Sequence, residues 1–401
     1  MKSQEVGIKP KVNVVLEGDN QMLDEVMVVA YGTAKKSSFT GSASTISNEK
    51  LELRPITNLT KGLEGQATGL LTTSGSGQPG EDASIVIRGY GSINASQDPL
   101  YVVDGIPFDG SLSSINPSDI ESMTVLKDAS AGALYGARGA NGVVMITTKQ
   151  GKEGKAQVTW RSTVGWASRA IQPYDMVDQK EFVQLTYEAL RNGYVFNSGY
   201  SWEQAQQMAR AGLSANLGGE LYNPFKNYTW DNLINPETGM VQADAVSAWN
   251  ERWMDAVQRD NAFRQEHQLS VNGGSEKTKY MFSLGYLNED GNIDNYGYNR
   301  LNLRSNIDAK LTKSLPFTLG VSGRIEKRDS PRYSADPNAW HNVPQQIIRA
   351  LPYVPDTYEY EGKTYNVSTP TASSPVAPVA SINESGYSKS NYSYIQSNFS
   401  L

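Results

Sequence analysis

From residue 156 onward the chain alternates apolar and polar side chains again and again. Residues 156–166 put Ala156, Val158, Trp160, Val164 and Trp166 on one face and Gln157, Thr159, Arg161 and Thr163 on the other. A period of two marks a strand with two different faces. The pattern returns at 263–271, at Tyr280, Phe282, Leu284 and Tyr286, at Leu301, Leu303, Ile307 and Leu311, at Phe317, Leu319, Val321 and Ile325, and at 392–401. About six strands are predicted, each near the roughly 9 to 11 residues of a tilted membrane strand. The connections alternate too: long at about 170–262, short at 272–278, medium at 288–299, short at 312–316 and long at 329–391. Short turns at one end and long loops at the other fit an outer-membrane barrel. A soluble sandwich also alternates along its strands but does not call for that asymmetry. The alternation leaves open whether the Trp160 and Trp166 face or the opposite one is the lipid side.

The first 150 residues read differently. An apolar strand, Tyr101-Val102-Val103, stops at Asp104-Gly105, a pair suited to the positive φ of a tight turn. Asn116-Pro117-Ser118-Asp119 punctuates the chain before Met123-Thr124-Val125-Leu126 resumes it as a strand. Gly132, Gly136, Gly139 and Gly142 then fall at short intervals, so a small-residue helical turn at 129–135 is expected, followed by loops of close backbone approach. Residues 143–148 close the unit as another strand.

In this order the segments are similar to the plug domain of TonB-dependent outer-membrane transporters, and within them to the SusC/RagA branch. The resemblance rests on YVVDGIP at 101–107, LKDASAGALYGARGANGVVMITTK at 126–149, the strand ending in IRG with Arg88 and Gly89, and KGLEGQATGL at 61–70; it covers roughly residues 33–150. It implies an α+β plug domain followed by an incomplete antiparallel transmembrane β-barrel, about six strands of an expected total of about twenty-two. It further implies a remnant of a carboxypeptidase-regulatory-like β-sandwich at 1–20, a Ton box segment at 21–32, the plug at 33–150 and the start of the barrel at 151–401. Residues 1–4 carry no signal peptide although the family is exported, so Met1 reads as an internal or misassigned start, and the chain stops in mid-pattern at Leu401.

Composition removes other classes. Hydrophobic residues make up 38% of the chain, mean hydropathy is −0.48, and no run approaches the 18 or so apolar residues of a spanning helix. That excludes helical spans only, since a barrel strand is apolar on one face. Zero cysteines exclude a disulfide framework or thiolate metal site. The 22 tyrosines against 9 phenylalanines fit interfacial aromatic girdles, and equally a tyrosine-rich soluble glycan-binding sheet. A net charge of −6 and a pI near 5.2 argue against nucleic acid. The 179–191 and 201–211 stretches in the first long connection are helical, with Phe182, Leu185 and Ala189 on one face, and the Ser/Thr/Pro-rich 364–380 reads as a surface loop.

No enzyme chemistry is legible. Gly75-Ser76-Gly77-Gln78-Pro79-Gly80 fits GxGxxG but contains proline and runs into a strand, whereas a dinucleotide site needs those glycines to open a helix. The two histidines, His267 and His341, are far apart, and no metal or other cofactor is expected. Leu23 to Gly32 resembles the family's LDEVVVVGYG, so Asp24, Glu25, Val26, Met27, Val28 and Val29 are the expected Ton box, departing from the pattern at Met27 and Ala30. Four β-prone residues can add to a sheet edge, though the same residues also suit the first plug strand or a docked linker. The resemblance gives Arg88 and Arg138 a role in holding the plug against acidic barrel residues, which a planar five-donor guanidinium suits. Gly89, Asp104, Gly105, Gly136, Gly139 and Gly142 are the expected plug turns. The implied function is TonB-dependent import of oligosaccharides or oligopeptides across the outer membrane of a Gram-negative cell. Implied partners are TonB with ExbB and ExbD, an SusD-like surface lipoprotein and membrane lipid; a transporter that also signals is the alternative within the class.

Overall fold

The computed structural model describes residues 26–29, 32–35, 42–52, 56, 58–74, 77–128, 133–170, 176–249, 253–312, 314–332, 343–367 and 376–401. The sandwich remnant expected at 1–20, Asp24 and Glu25 of the expected Ton box, His341 and the first residues of the 129–135 helical turn lie outside them. Two compact units are present: Met1–Thr73 with Asp82–Lys149, and Ser74–Glu81 with Gln150–Leu401.

In the first unit β1 (Val26–Val29) and β2 (Gly32–Lys35) pair antiparallel, Val26 opposite Lys35. Next come β3 (Ala43–Ser47), α1 (Asn48–Glu52), α2 (Leu59–Gly62), the paired β4 (Leu70–Thr73) and β5 (Ser84–Ile87), then β6 (Leu100–Val103), β7 (Ile106–Phe108), β8 (Ile120–Leu126) and β9 (Val143–Thr148). The central sheet has the order β3-β8-β9-β6-β7. Only the β6–β9 pair is parallel, because the chain from Asp104 to Gly142 must cross over to return beside β6. Strands β8 and β9 are largely buried on both faces, through Met123, Val125 and Leu126 and through Val143, Val144, Met145 and Ile146, and lie in the core with Ile46, Leu59, Leu63, Ile85 and Leu112. Near-continuous apolar runs are what a strand covered on both sides requires.

The second unit is a six-stranded antiparallel sheet that is not closed into a barrel, in the order β10 (Gly154–Ala167), β11 (Ala262–Gly274), β12 (Thr278–Asp290), β13 (Gly297–Thr312), β14 (Leu315–Pro331) and β17 (Tyr387–Ser400), with the small hairpin β15 (Thr357–Tyr360) and β16 (Lys363–Asn366) between the last two. The strands are 13 to 17 residues long, enough to cross a bilayer at a tilt. Residues 275–277 and the step from Thr312 to Leu315 make the tight turns at one end. The other end carries the connections 168–261, 291–296 and 332–386.

The two long connections fold together. Helices α3 (Gln179–Phe196) and α4 (Trp202–Asn216) begin at capping boxes on Asp178 and Ser201. With α5 (Trp253–Val257), α6 (Val343–Arg349) and α7 (Pro378–Asn383) they enclose one apolar core containing Tyr187, Leu213, Trp230, Trp253, Ile347, Tyr353 and Val379. The Trp249 and Trp253 indoles each donate, at 3.0 Å, to the carbonyls of Tyr353 and Leu351. Tyr353 packs edge-on against Trp230 and tilted against Phe182, and burial pushes its phenol up to about 12. The buried face of α3 is the Gln179, Val183 and Tyr187 stripe, with Phe182 beside it and Leu185 facing out at 54% exposure. Of the expected surface loop at 364–380, residues 368–375 lie outside the described residues, while Val376 and Val379 at its end are buried in this core.

Candidate functional site

The membrane wall and the plug carry the functional features, and each follows from local sequence. On the wall, register puts Val158, Trp160, Val164 and Trp166 on the same face as Phe263, Leu269, Phe282, Leu284, Leu301, Leu303, Leu319, Ile325 and Phe399. That face is mainly apolar, with Trp160 at 64% and Leu303 at 52% exposed, and its polar residues include His267, stacked between Trp160 and Tyr286. The lipid side left open by the alternation is therefore the tryptophan side, since lipid tails satisfy apolar side chains alone.

The opposite face is polar and ordered in rows across the strands. One row runs Arg264, Glu289, Tyr298, Arg328; the next Glu266, Leu287, Arg300, Glu326; the third Gln268, Gly285, Asn302, Arg324. Arg264 pairs with Glu266 at 2.7 Å and reaches Glu289 at 3.6 Å. Glu326, 1% exposed, accepts from Arg324 at 3.0 Å, Arg328 at 2.8 Å and the Tyr298 hydroxyl at 3.1 Å. Three donors on one buried carboxylate offset its desolvation. A Cβ at Gly285 would sit 2.4 Å from the Gln268 amide oxygen and 2.6 Å from that of Asn302, so these amides fill the space above the glycine and would shift to admit one. None of these polar positions was singled out from sequence. Their signal was present as charged residues on alternate positions of otherwise apolar strands.

In the plug, Asp104 and Gly105 sit at φ 48° and 85°, joining β6 to β7 as a two-residue hairpin. Such a turn needs positive φ at both residues, which an Asp-Gly pair tolerates. The Asp104 carboxylate also accepts from the backbone N–H of Thr148 at 2.9 Å and its hydroxyl at 2.7 Å, tying the end of β9 to the turn. The Asp104 N–H donates to Ile146 at 3.0 Å. Gly142, at φ 92°, lies where a Cβ would be 2.7 Å from Ile87 and 3.1 Å from the Leu126 carbonyl. Its N–H donates to the Gly139 carbonyl at 3.0 Å. Gly136 holds φ 62° and ψ −149°, a conformation open to glycine alone.

Arg88 sits at φ 61° and Gly89 at φ 92°, a kink that ends β5. The Arg88 guanidinium pairs with Asp128, whose carboxylate also accepts from the Ser42 N–H. That N–H, joined by the guanidinium, holds the Asp128 carboxyl below the ordinary carboxylate range. Arg138 pairs with Asp109, both largely exposed. Both arginines thus meet carboxylates of the plug itself. Asp128 was missed in the sequence, as was Asp82, which accepts from Asn58, Ser111 and the Ser113 N–H and joins three plug segments. Of the expected Ton box, Val26–Val29 is a strand, and β2 covers one of its edges.

Residues 35–143 match the TonB-dependent receptor plug domain model. A plug followed by a sheet with one lipid-compatible face defines a TonB-dependent receptor of the outer membrane. TonB-dependent receptor SusC of Bacteroides thetaiotaomicron is 33% identical over 313 residues, 76% of this chain and 26% of that receptor. TonB-dependent receptor P39 of Formosa agariphila is 31% identical over 332 residues, 82% of this chain and 28% of that one. The RagAB peptide importer in its open-open state superposes with a TM-score of 0.63 at 28% identity, covering 88% of this chain and 38% of that one. The chain belongs to the SusC/RagA family of TonB-dependent receptors. It spans about a quarter of the length of the curated relatives it matches.

Proposed function

We propose that the protein imports oligosaccharides or oligopeptides across the outer membrane, driven by TonB with ExbB and ExbD. The observation that carries this is the two-faced wall: an exposed apolar face and an ordered polar face on strands long enough to span, following a plug domain in one chain. In this reading residues 21–32 are the Ton box, 33–150 the plug and 151–401 the first part of the barrel. TonB adds a strand to the edge of β1 that β2 leaves unpaired among the described residues, where main-chain hydrogen bonds give grip, and tension passes through the following chain into the plug. Arg88 and Arg138 keep donors beyond those used on Asp128 and Asp109, and these meet barrel carboxylates that hold the plug at rest. An SusD-like lipoprotein sits at the long-loop end as lid and ligand binder. Support for import comes from relatives: RagAB is a peptide importer, and SusC is a TonB-dependent receptor.

A soluble glycan-binding protein would bury or disperse the tryptophan face, so the exposed band of Val158, Trp160, Phe282, Leu301 and Leu303 weighs against it. The test is uptake of labelled oligosaccharides and peptides by intact cells, with and without tonB and with the proton gradient collapsed. Accumulation that needs both TonB and the gradient is expected. Accumulation indifferent to either would overturn the proposal.

A further inference from the structure

The run from Gly75 to Gly80, a GxGxxG that opens no helix, lies in the loop between the paired strands β4 and β5, yet Ser74–Glu81 belongs to the second unit while both strands belong to the first. Residues 78–81 form a tight turn closed by the Glu81 N–H on the Gln78 carbonyl at 3.4 Å, with Gly80 at φ 77°. Proline second and a positive-φ glycine third are what a type II turn calls for, and Pro79-Gly80 supplies them. Two close approaches seat this turn on the wall. A Cβ at Gly80 would run into the Tyr298 ring, 2.6 Å from its Cε2, and a Cβ at Gly291 would stand 2.7 Å from the Gln78 amide oxygen. Tyr298 is fully buried and Gln78 is 7% exposed. The seat is fixed from behind. Tyr298 donates to Glu326, and the 291–296 turn is held by the chain just after α5 and by α7: the Arg259 N–H donates to the Asn292 carbonyl at 2.8 Å, the Arg259 guanidinium pairs with Asp290 at 3.1 Å and Asp294 at 3.0 Å, and the Asn295 amide donates to the Ile382 carbonyl at 3.0 Å.

We infer that Gln78, Pro79 and Gly80 are a strap that fastens the plug to the wall, with Gly80 against Tyr298 and Gln78 against Gly291 as its two points of attachment. The chain re-enters the plug at once. Asp82 accepts from Asn58, Ser111 and the Ser113 N–H, and the Ala83 N–H donates to the Thr60 hydroxyl at 2.8 Å. One residue, Glu81, separates this network from the seated turn, so a plug displacement of more than about 7 Å must pull the turn from its seat or strip Asp82 from the plug. Glycine at 80 and at 291 is what brings backbone and side chain this close on each side of the contact. The strap is a hold on the plug beyond the one that the import reading gives to Arg88 and Arg138, and it is independent of the cargo.

The chain holds no native cysteine, and Asn292 is exposed beside Gly291, so the receptor carrying Gln78→Cys with Asn292→Cys is treated in outer membranes with a bifunctional maleimide and the rate of cross-linking is followed on gels. Gly77→Ala and Gly80→Ala are then compared in that background. Both glycines hold positive φ, 69° and 77°, so alanine strains the backbone alike at each, but a Cβ at Gly77 meets nothing within 4 Å among the described residues whereas one at Gly80 meets the wall. Gly80→Ala is expected to slow the cross-link about tenfold, as overpacking a buried contact does, with Gly77→Ala near the parent rate. In intact cells without the cysteines, Gly80→Ala should admit a large glycopeptide antibiotic that the wild type and Gly77→Ala exclude, and so should Gln78→Ala, which deletes the second contact and adds no bulk. Equal cross-linking rates in the two alanine variants, no cross-link in the parent pair, or wild-type exclusion of the antibiotic by both Gly80→Ala and Gln78→Ala would overturn the strap. Should Gly80→Ala fail to reach the membrane, Gln78→Ala decides alone, and wild-type exclusion by it overturns the inference.

Discussion

Replacing Asp104 with alanine should unfasten the end of the parallel β6–β9 pair. The carboxylate accepts from both the N–H and the hydroxyl of Thr148, a residue with 0% exposure. Each buried donor left without its acceptor costs about 1–3 kcal/mol, and water entering beside the half-exposed turn brings each toward the low end. Alanine at φ 48° adds about 1–2 kcal/mol of backbone cost that a short polar side chain partly avoids. The total is about 3–5 kcal/mol, set against a domain stability of about 5–15 kcal/mol. Three variants separate the contributions. Asp104→Gly removes the bonds and relieves the backbone, Asp104→Ala loses on both counts, and Asp104→Asn keeps one acceptor oxygen and the tolerance of positive φ. Amide exchange of Thr148 and of β9 in the purified receptor reads the outcome. Alanine should speed exchange by two orders of magnitude or more, since about 1.4 kcal/mol is tenfold, with glycine faster than wild type by less and asparagine by least. Wild-type protection in the alanine variant would refute the carboxylate's role as the fastening of this strand end.

Other outcomes follow from the same geometry. The lowered Asp128 pKa means its pairing stabilises the plug above the ordinary carboxyl value of 3.8 and is lost as pH falls through the folded pKa below it. Asp128→Asn should therefore be cut more readily than the wild type at pH 5, and the two should converge toward pH 2 as the wild type loses this contribution; identical profiles would contradict it. Tyr353→Ala should cost about 3–5 kcal/mol, as large buried aromatics do, and should raise exchange in α3 and α6 together because Tyr353 packs against Phe182 and Trp230. Loosening of 343–367 alone would show that the two connections do not share one core. Arg138→Ala should change plug stability by no more than about 1 kcal/mol through Asp109, since both partners are exposed; a larger effect on antibiotic leakage would point to a barrel carboxylate as its second partner. Brominated lipid should quench Trp160 and Trp166, and absence of quenching would contradict the lipid-side assignment.

The local features of this fold were legible in the sequence. The Asp104-Gly105 turn follows from residue chemistry at adjacent positions, and the wall strands follow from a period that needs no knowledge of their partners. Long-range choices were not legible. Helix α3 carries two apolar stripes, Phe182 with Leu185 and Ala189, and Val183 with Tyr187; which one is buried depends on Tyr353, some 170 residues away. Val376 and Val379 lie in a polar, proline-containing stretch with no period, so nothing local marks them as core. The carboxylate partners of Arg88 and Arg138 were equally hidden, since Asp128 and Asp109 lie about 30 to 40 positions from them and acidic residues at loops are ordinarily solvated. Even the lipid side of the wall required register, because a single strand with two tryptophans on one face does not say which way that face points.

Uptake and surface binding of the same labelled ligand, measured in the same cells carrying Val28→Pro, show whether energy enters the protein through β1. Proline removes the Val28 N–H and fixes φ, so a strand that TonB must grip can no longer complete its ladder. Uptake is expected to fall to the level of a tonB deletion with surface binding unchanged. Normal uptake by the variant would contradict the assignment of Val26–Val29 as the segment through which energy reaches the plug.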